Sequence, residues 1–317
     1  MPASHLQTSF RSAGRLIRAG ACLALLLGTA AEARAGAHPH HALPAEKVPA
    51  FCVPRTSRPP TIDGAIEADE WREATAISGA GNLTDDVLIP RPTTFFFAWD
   101  PGHLYFAVRT YIKPNYKPKL AGRSPGLAYV WDDGLELHWQ PLGGNVLGEN
   151  KKNSYKWFLN CLGFTGDCSR LALGQQFKNW NPRFDIKTRL TDPGTAPDGG
   201  RWWELEMSSV PADFELVGDN RAGDQWRVML GINHLPTWMQ ARVACNGSYL
   251  DPFGFNVLTL VDDAPAIQMT MDDVHNLATD GRATLRLSAF NPTKQPASVT
   301  VDVNVADAIK TSRCPRR

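Results

Sequence analysis

In the stretch Tyr129 to Pro141, YVWDDGLELHWQP, side chains alternate in character: Leu135, Leu137 and Trp139 fall on one face, Gly134, Glu136 and His138 on the other. This period of two predicts a half-buried strand. Trp131, Asp132 and Asp133 precede it, at the point where a loop would enter the sheet. Similar short runs recur along the chain, bounded by Gly, Pro and Asp: TTFFFAWD (93–100) and HLYFAVRTYI (103–112) around the turn Pro101-Gly102, then SYKWFLNCLGF (154–164), RFDIKTRL (183–190), RWWELEMSS (201–209), DQWRVMLGIN (224–233) and FGFNVLTLV (253–261). One short helical stretch at most is expected, Glu67 to Ala76, carrying Trp71 inward, and the proline-rich run 113–126 reads as a loop. The pattern predicts an all-β chain, an antiparallel β-sandwich over residues 51–262. After it, PAIQMTMDD, GRATLRLSAFNP and ASVTVDVNVADA (within 263–317) look like the opening strands of an immunoglobulin-like unit. Such a unit needs about 100 residues, so an incomplete segment is expected.

The first 35 residues have a different texture. Arg11, Arg15 and Arg18 precede the apolar run Ala19 to Ala31, and Ala33-Arg34-Ala35 supplies small residues for cleavage, which is the three-part pattern of a secretory signal peptide. The run is too short to span a bilayer, which takes about 20 residues, and no later segment qualifies. A secreted or periplasmic protein is expected. Residues 36–50 lack apolar periodicity and read as a linker. Gly36-Ala37-His38 would form a copper-binding amino terminus after cleavage, although a plain solvated linker is the simpler expectation. With 33 basic and 32 acidic side chains, no strong field would draw the chain to nucleic acid. Oligomeric state is not legible.

Export implies an oxidising compartment and hence disulfides. Cys161 and Cys168 bracket a short loop, Gly163 to Gly166, and are the expected pair. Cys52 and Cys245 are candidates for a second bridge, with Cys314 left over, and spacing alone leaves the connectivity open.

The pieces PPTIDGAIEADEW, AWDPGHLYFAVRTYI, WDDGLELHW, YKWFLNCLGFTGD, RWWELEMSSVP, GDQWRVML and SYLDPFGFNVLTL, in that order between Pro59 and Val261, resemble the carbohydrate-binding modules of family 9. These modules are attached to secreted bacterial glycoside hydrolases. The resemblance implies a sandwich that holds a poly- or oligosaccharide between two aromatic rings, here at Trp131 and Tyr249. Glu136 matches an acidic strand position that bonds sugar hydroxyls, and Asn160 matches the family's asparagine. The family's basic residue beside that asparagine is replaced by Phe158. The resemblance also implies structural calcium, for which Asp63, Glu67 and Asp69 supply hard oxygen ligands, with turn and capping carboxylates as the alternative.

A pyranose offers an apolar C–H face and a belt of hydroxyls, so a site needs flat rings and fixed polar groups. Trp131 and Tyr249 would give the rings, and Asp132, Glu136, Asn160 and Asn246 the polar belt. Trp139, Trp157, Trp203 and Trp226, inside alternating strands, are expected in the core.

No catalysis is expected. A glycosidase needs two carboxyls about 5 to 9 Å apart, whereas Asp132 and Glu136 would lie about 13 Å apart along a strand. Glu204 and Glu206, at about 7 Å, read as a solvated strand face. Two other classes stay open: a haem-binding sandwich of the DOMON type, with Met229 and His234 or Met239 and His138 as ligands, and a structural or adhesive module.

Overall fold

A computed structural model describes residues 4–11, 50–82, 88–119, 132–142, 153–163, 165–171, 177–178, 180, 182–234, 239–243, 255–271, 282–293 and 295–300. Among these the chain forms seventeen strands and only short helical turns, at Pro197–Gly199 and Pro211–Phe214. The helical stretch expected near Glu67 is a run of turns around Trp71.

In chain order the strands are β1 (Ser4–Arg11), β2 (Ala50–Pro54), β3 (Thr75–Ser78), β4 (Ala80–Asn82), β5 (Thr93–Trp99), β6 (Leu104–Ile112), β7 (Gly134–Pro141), β8 (Asn153–Asn160) and β9 (Thr165–Leu171). They continue with β10 (Phe177–Lys178), β11 (Asp185–Leu190), β12 (Arg201–Ser209), β13 (Gln225–His234), β14 (Met239–Val243), β15 (Asn256–Val261), β16 (Ala266–Met271) and β17 (Arg282–Phe290). One sheet runs β1-β17-β16-β3-β5-β6-β12-β11. The other runs β10-β9-β8-β7-β13-β14-β4, with β15 on the part of β13 that β14 does not cover and β2 beyond β15. The architecture is the expected all-β sandwich. Its pairing is antiparallel except at β15 with β2 and β16 with β3, which are parallel.

Alternation dictates the core. Phe95, Phe97, Phe106, Val108, Trp203, Leu205 and Met207 from the first sheet meet Leu135, Leu137, Trp139, Tyr155, Trp157, Trp226 and Leu230 from the second. All four tryptophans expected in the core are fully buried. Trp139 lies at the centre, with Phe97, Phe106, Trp157 and Trp226 all edge-on to it at centroid separations of 5.8 to 6.1 Å. This is the favoured geometry for aromatic pairs. A smaller cluster, Ile66, Trp71, Ala74, Ala76, Phe96, Ala98, Tyr105 and Ala107, covers part of the first sheet's outer face.

Residues 266–290, read from sequence as the start of a separate segment, place β16 and β17 in the first sheet. Gln268 Nε2 donates to the carbonyls of Trp71 and Ala74, and Met269, Leu285 and Leu287 enter the main core. β1, from the amino-terminal segment read as an export signal, lies antiparallel along β17.

The expected Cys161–Cys168 bridge is not formed: Cys161 is a free, buried thiol. Strand register is the reason. Cys161 follows the end of β8, whereas Cys168 pairs with Lys156, five residues back along that strand. That offset is about 16 Å, and a disulfide needs Cα atoms within about 7 Å. Cys52 is also a free thiol, opposite Thr259. Cys245 and Cys314 lie outside the described residues.

Candidate functional site

The polar face of β7 points away from the aromatic core, so Gly134, Glu136, His138 and Gln140 share the outer face of the second sheet. Register adds Lys156, Phe158 and Asn160 from β8, and Arg227, Met229 and Asn233 from β13. This face is not solvated, for Glu136, His138, Gln140, Lys156, Asn160 and Arg227 are all buried. The site is therefore a row of charged and amide groups out of water, where each group needs a partner.

Gly134 sets the close approach of β7 and β8 at the mouth of the row. A Cβ there would stand 2.4 Å from the Leu159 carbonyl oxygen, so only glycine fits without moving the backbone. Just before it, Asp132 accepts from Asn160 Nδ2 at 2.8 Å, and both residues are fully buried. Asn160 in turn accepts the Leu162 amide at 3.0 Å, which fixes its orientation at the end of β8. Asp133 turns the other way. Its carboxylate takes the Tyr116 hydroxyl and the Lys119 amide, tying the end of the 113–119 loop to the mouth of β7.

Glu136 sits two residues farther in and is 3% exposed. Its Oε1 accepts from Lys156 Nζ and from His138 Nε2, the latter at 3.3 Å. A carboxylate only accepts, so the His138 proton lies on Nε2. Lys156 Nζ also stands 4.4 Å from the Phe158 ring centroid, a cation–π contact that the buried setting strengthens. Burial alone would push the Glu136 carboxyl up, but the His138 hydrogen bond and the Lys156 ammonium outweigh it and hold it down, from 4.5 to about 2. Glu136 Oε2 is buried without a hydrogen-bond partner among the described residues.

The depressed value carries a pH signature. A carboxyl that is more acidic when folded stabilises the fold above its unfolded value and loses that contribution as pH falls through its folded value. Glu136 is thus expected to contribute about 3 kcal/mol above pH 5, lost progressively between about pH 5 and 2. Denaturant midpoints measured across that range check this: Glu136→Gln should flatten the acid limb.

Of the expected site residues, the structure brings Asp132, Glu136 and Asn160 together on one face. Trp131, Asn246 and Tyr249 lie outside the described residues. So do the side chains of His234 and Met239, while Met229 stands directly opposite His138 in register. Phe158 holds the position beside the asparagine, as read from the sequence, and Lys156 stands one position earlier on the same face. The alternation of β8 carried the signal, since 156, 158 and 160 share one face.

Asp63, Glu67 and Asp69 do not converge, and among the described residues no group of three His, Cys, Asp or Glu side chains is arranged to hold a metal ion. Asp63 Oδ1 closes its own turn by accepting the Ala65 amide at 2.8 Å. Glu204 and Glu206 are buried, not solvated as expected. Glu204 is gripped by Arg109 and Arg189, and Glu206 accepts from Trp71 Nε1 and the amides of Asp63 and Gly64. These carboxylates hold the 62–74 segment onto the sheet. Among the described residues no helix is long and apolar enough to cross a membrane.

No family model matches the chain, and no curated protein matches it. Solved structures do. A family 9 carbohydrate-binding module from Caldicellulosiruptor kristjanssonii in complex with cellotriose is similar at 16% identity, over 68% of this chain and 95% of that one, with a TM-score of 0.46. The same match in complex with glucose covers 68% and 97%, at 16% identity and a TM-score of 0.46. A candidate carbohydrate-binding protein from Bacteroides uniformis is similar at 15% identity over 67% and 98%, with a TM-score of 0.48.

Proposed function

We propose that this protein is a non-catalytic saccharide-binding module, and that the outer face of the second sheet is its binding surface. The observation that carries the reading is Glu136: an ionised, buried carboxylate with one oxygen clamped and the other without a partner among the described residues, on one face with the amide of Asn160. A sugar hydroxyl is a donor of the right kind for that free oxygen, and a fixed acceptor in a dry setting discriminates strongly in favour of a ligand that satisfies it. Trp131, at the entrance to β7, and Tyr249 are assigned as the rings that flank the sugar. Asp132 acts through Asn160, whose amide it orients. Delivery outside the cytoplasm by the amino-terminal segment belongs to the same reading.

Calorimetric titration with cellotriose and glucose tests it. Saturable binding is expected, weakened at least tenfold in Trp131→Ala and in Tyr249→Ala with unfolding midpoints unchanged. Absence of binding across a glycan array, or binding indifferent to both substitutions, overturns the assignment.

A further inference from the structure

A cleft of about 320 Å3 lies on the outer face of the first sheet, the opposite side of the sandwich from Glu136. Small-molecule sites start at roughly this size, about 300 Å3. Its chemistry is laid out by register. Thr94 pairs with Arg109 and Thr270 pairs with Arg286, so two strand pairs each present a hydroxyl beside a guanidinium, while Phe96 lies two residues along from Thr94. Trp202 lines the same cleft. Among the described tryptophans it is the one that is not buried. Its ring is set edge-on by Tyr111 at 6.1 Å, and its amide is held by Thr191 Oγ1 at 2.8 Å. A partly exposed aromatic ring, fixed from behind, is a platform rather than core filler.

The lining has two arginines and no carboxylate. Arg109 is locked in place: Glu204 Oε1 takes its Nε at 2.7 Å and its Nη2 at 2.6 Å, and the Ile66 carbonyl takes Nη2 as well. Those bonds leave Nη1 over. Glu204 is itself shared with Arg189, so two guanidinium groups face one carboxylate along this part of the sheet. Thr270 Oγ1 is buried with no hydrogen-bond partner among the described residues.

We propose that this cleft is a second binding site, for a saccharide that carries a carboxylate. A uronic-acid unit lays its C–H face on Trp202, directs its carboxylate to the Arg109 and Arg286 side, and satisfies Thr270 Oγ1 with a ring hydroxyl. Arginine suits this role because its planar fork matches a carboxylate. A lining with two guanidinium groups and no carboxylate rewards an acidic sugar over a neutral one.

Calorimetric titration of the full chain with trigalacturonic acid, and with cellotriose as the neutral control, tests the site. Saturable uronate binding is expected, at least tenfold weaker in Arg286→Ala and in Trp202→Ala, weaker at raised salt, and unchanged in Trp131→Ala. That last variant separates this site from the Glu136 face, so either assignment can fail alone. Arg286 is exposed, which keeps the fold out of the readout should Trp202→Ala be unstable. The proposal is overturned by the absence of saturable uronate binding, by binding that survives Arg286→Ala, or by cellotriose binding that depends on Arg286 equally.

Discussion

Lys156→Met is expected to destabilise the protein by about 3 to 5 kcal/mol, because it strands an ionised carboxylate in a buried site. Glu136 is held ionised by His138 and Lys156, and the substitution removes the Lys156 ammonium. Met keeps the length and apolar stem of the side chain, so packing against Phe158 changes little. The loss is therefore electrostatic. Its sign can be checked independently: without the ammonium, burial dominates, the Glu136 carboxyl rises, and the variant should regain part of its stability as pH is lowered. Adding Glu136→Gln to Lys156→Met removes the stranded charge and should recover most of the loss. Urea midpoints of the two single variants and the double variant measure the coupling. Equal stability of Lys156→Met with and without Glu136→Gln would show that the pair is not coupled.

Trp139→Ala is expected to cost about 3 to 5 kcal/mol, the range for removing a large buried aromatic side chain. Its surroundings leave little room for collapse, since four rings stand edge-on to it and each is itself buried between the sheets. Loss of these aromatic pairs adds to the cavity term. Trp202→Ala provides the contrast within one protein: a partly exposed ring on the outer face should cost less than about 1 kcal/mol. Urea denaturation of both variants checks the difference. A small effect at Trp139 would mean that the two sheets are not packed through this residue.

Much of the architecture was legible because period-two alternation reports which face of a strand is buried. Leu135, Leu137 and Trp139 announced the core side of β7, and TTFFFAWD and HLYFAVRTYI announced a hairpin that forms as β5 and β6. Alternation is silent about what covers the other face. Glu204 and Glu206 read as solvated because acids at alternate positions commonly are, yet the 62–74 segment lies over them and Arg109, Arg189 and backbone amides satisfy them. The disulfide expectation failed for a related reason. Proximity in sequence does not imply proximity across a turn when the two strands pair in another register, and Cys168 faces Lys156 instead of Cys161.

At the candidate site the sequence by itself determined the ingredients: an acid on the polar side of β7, an amide at the end of β8, and the glycine that lets them meet. Local pattern suffices for that, because side-chain direction along a strand follows from backbone pleating alone. Which groups become partners was decided only by tertiary structure. Cross-strand register put Lys156 beside Glu136 and His138, and burial out of water turned these three ordinary polar residues into a clamped carboxylate with one oxygen unpartnered among the described residues, since the strength of such contacts depends on the dielectric that the whole fold creates.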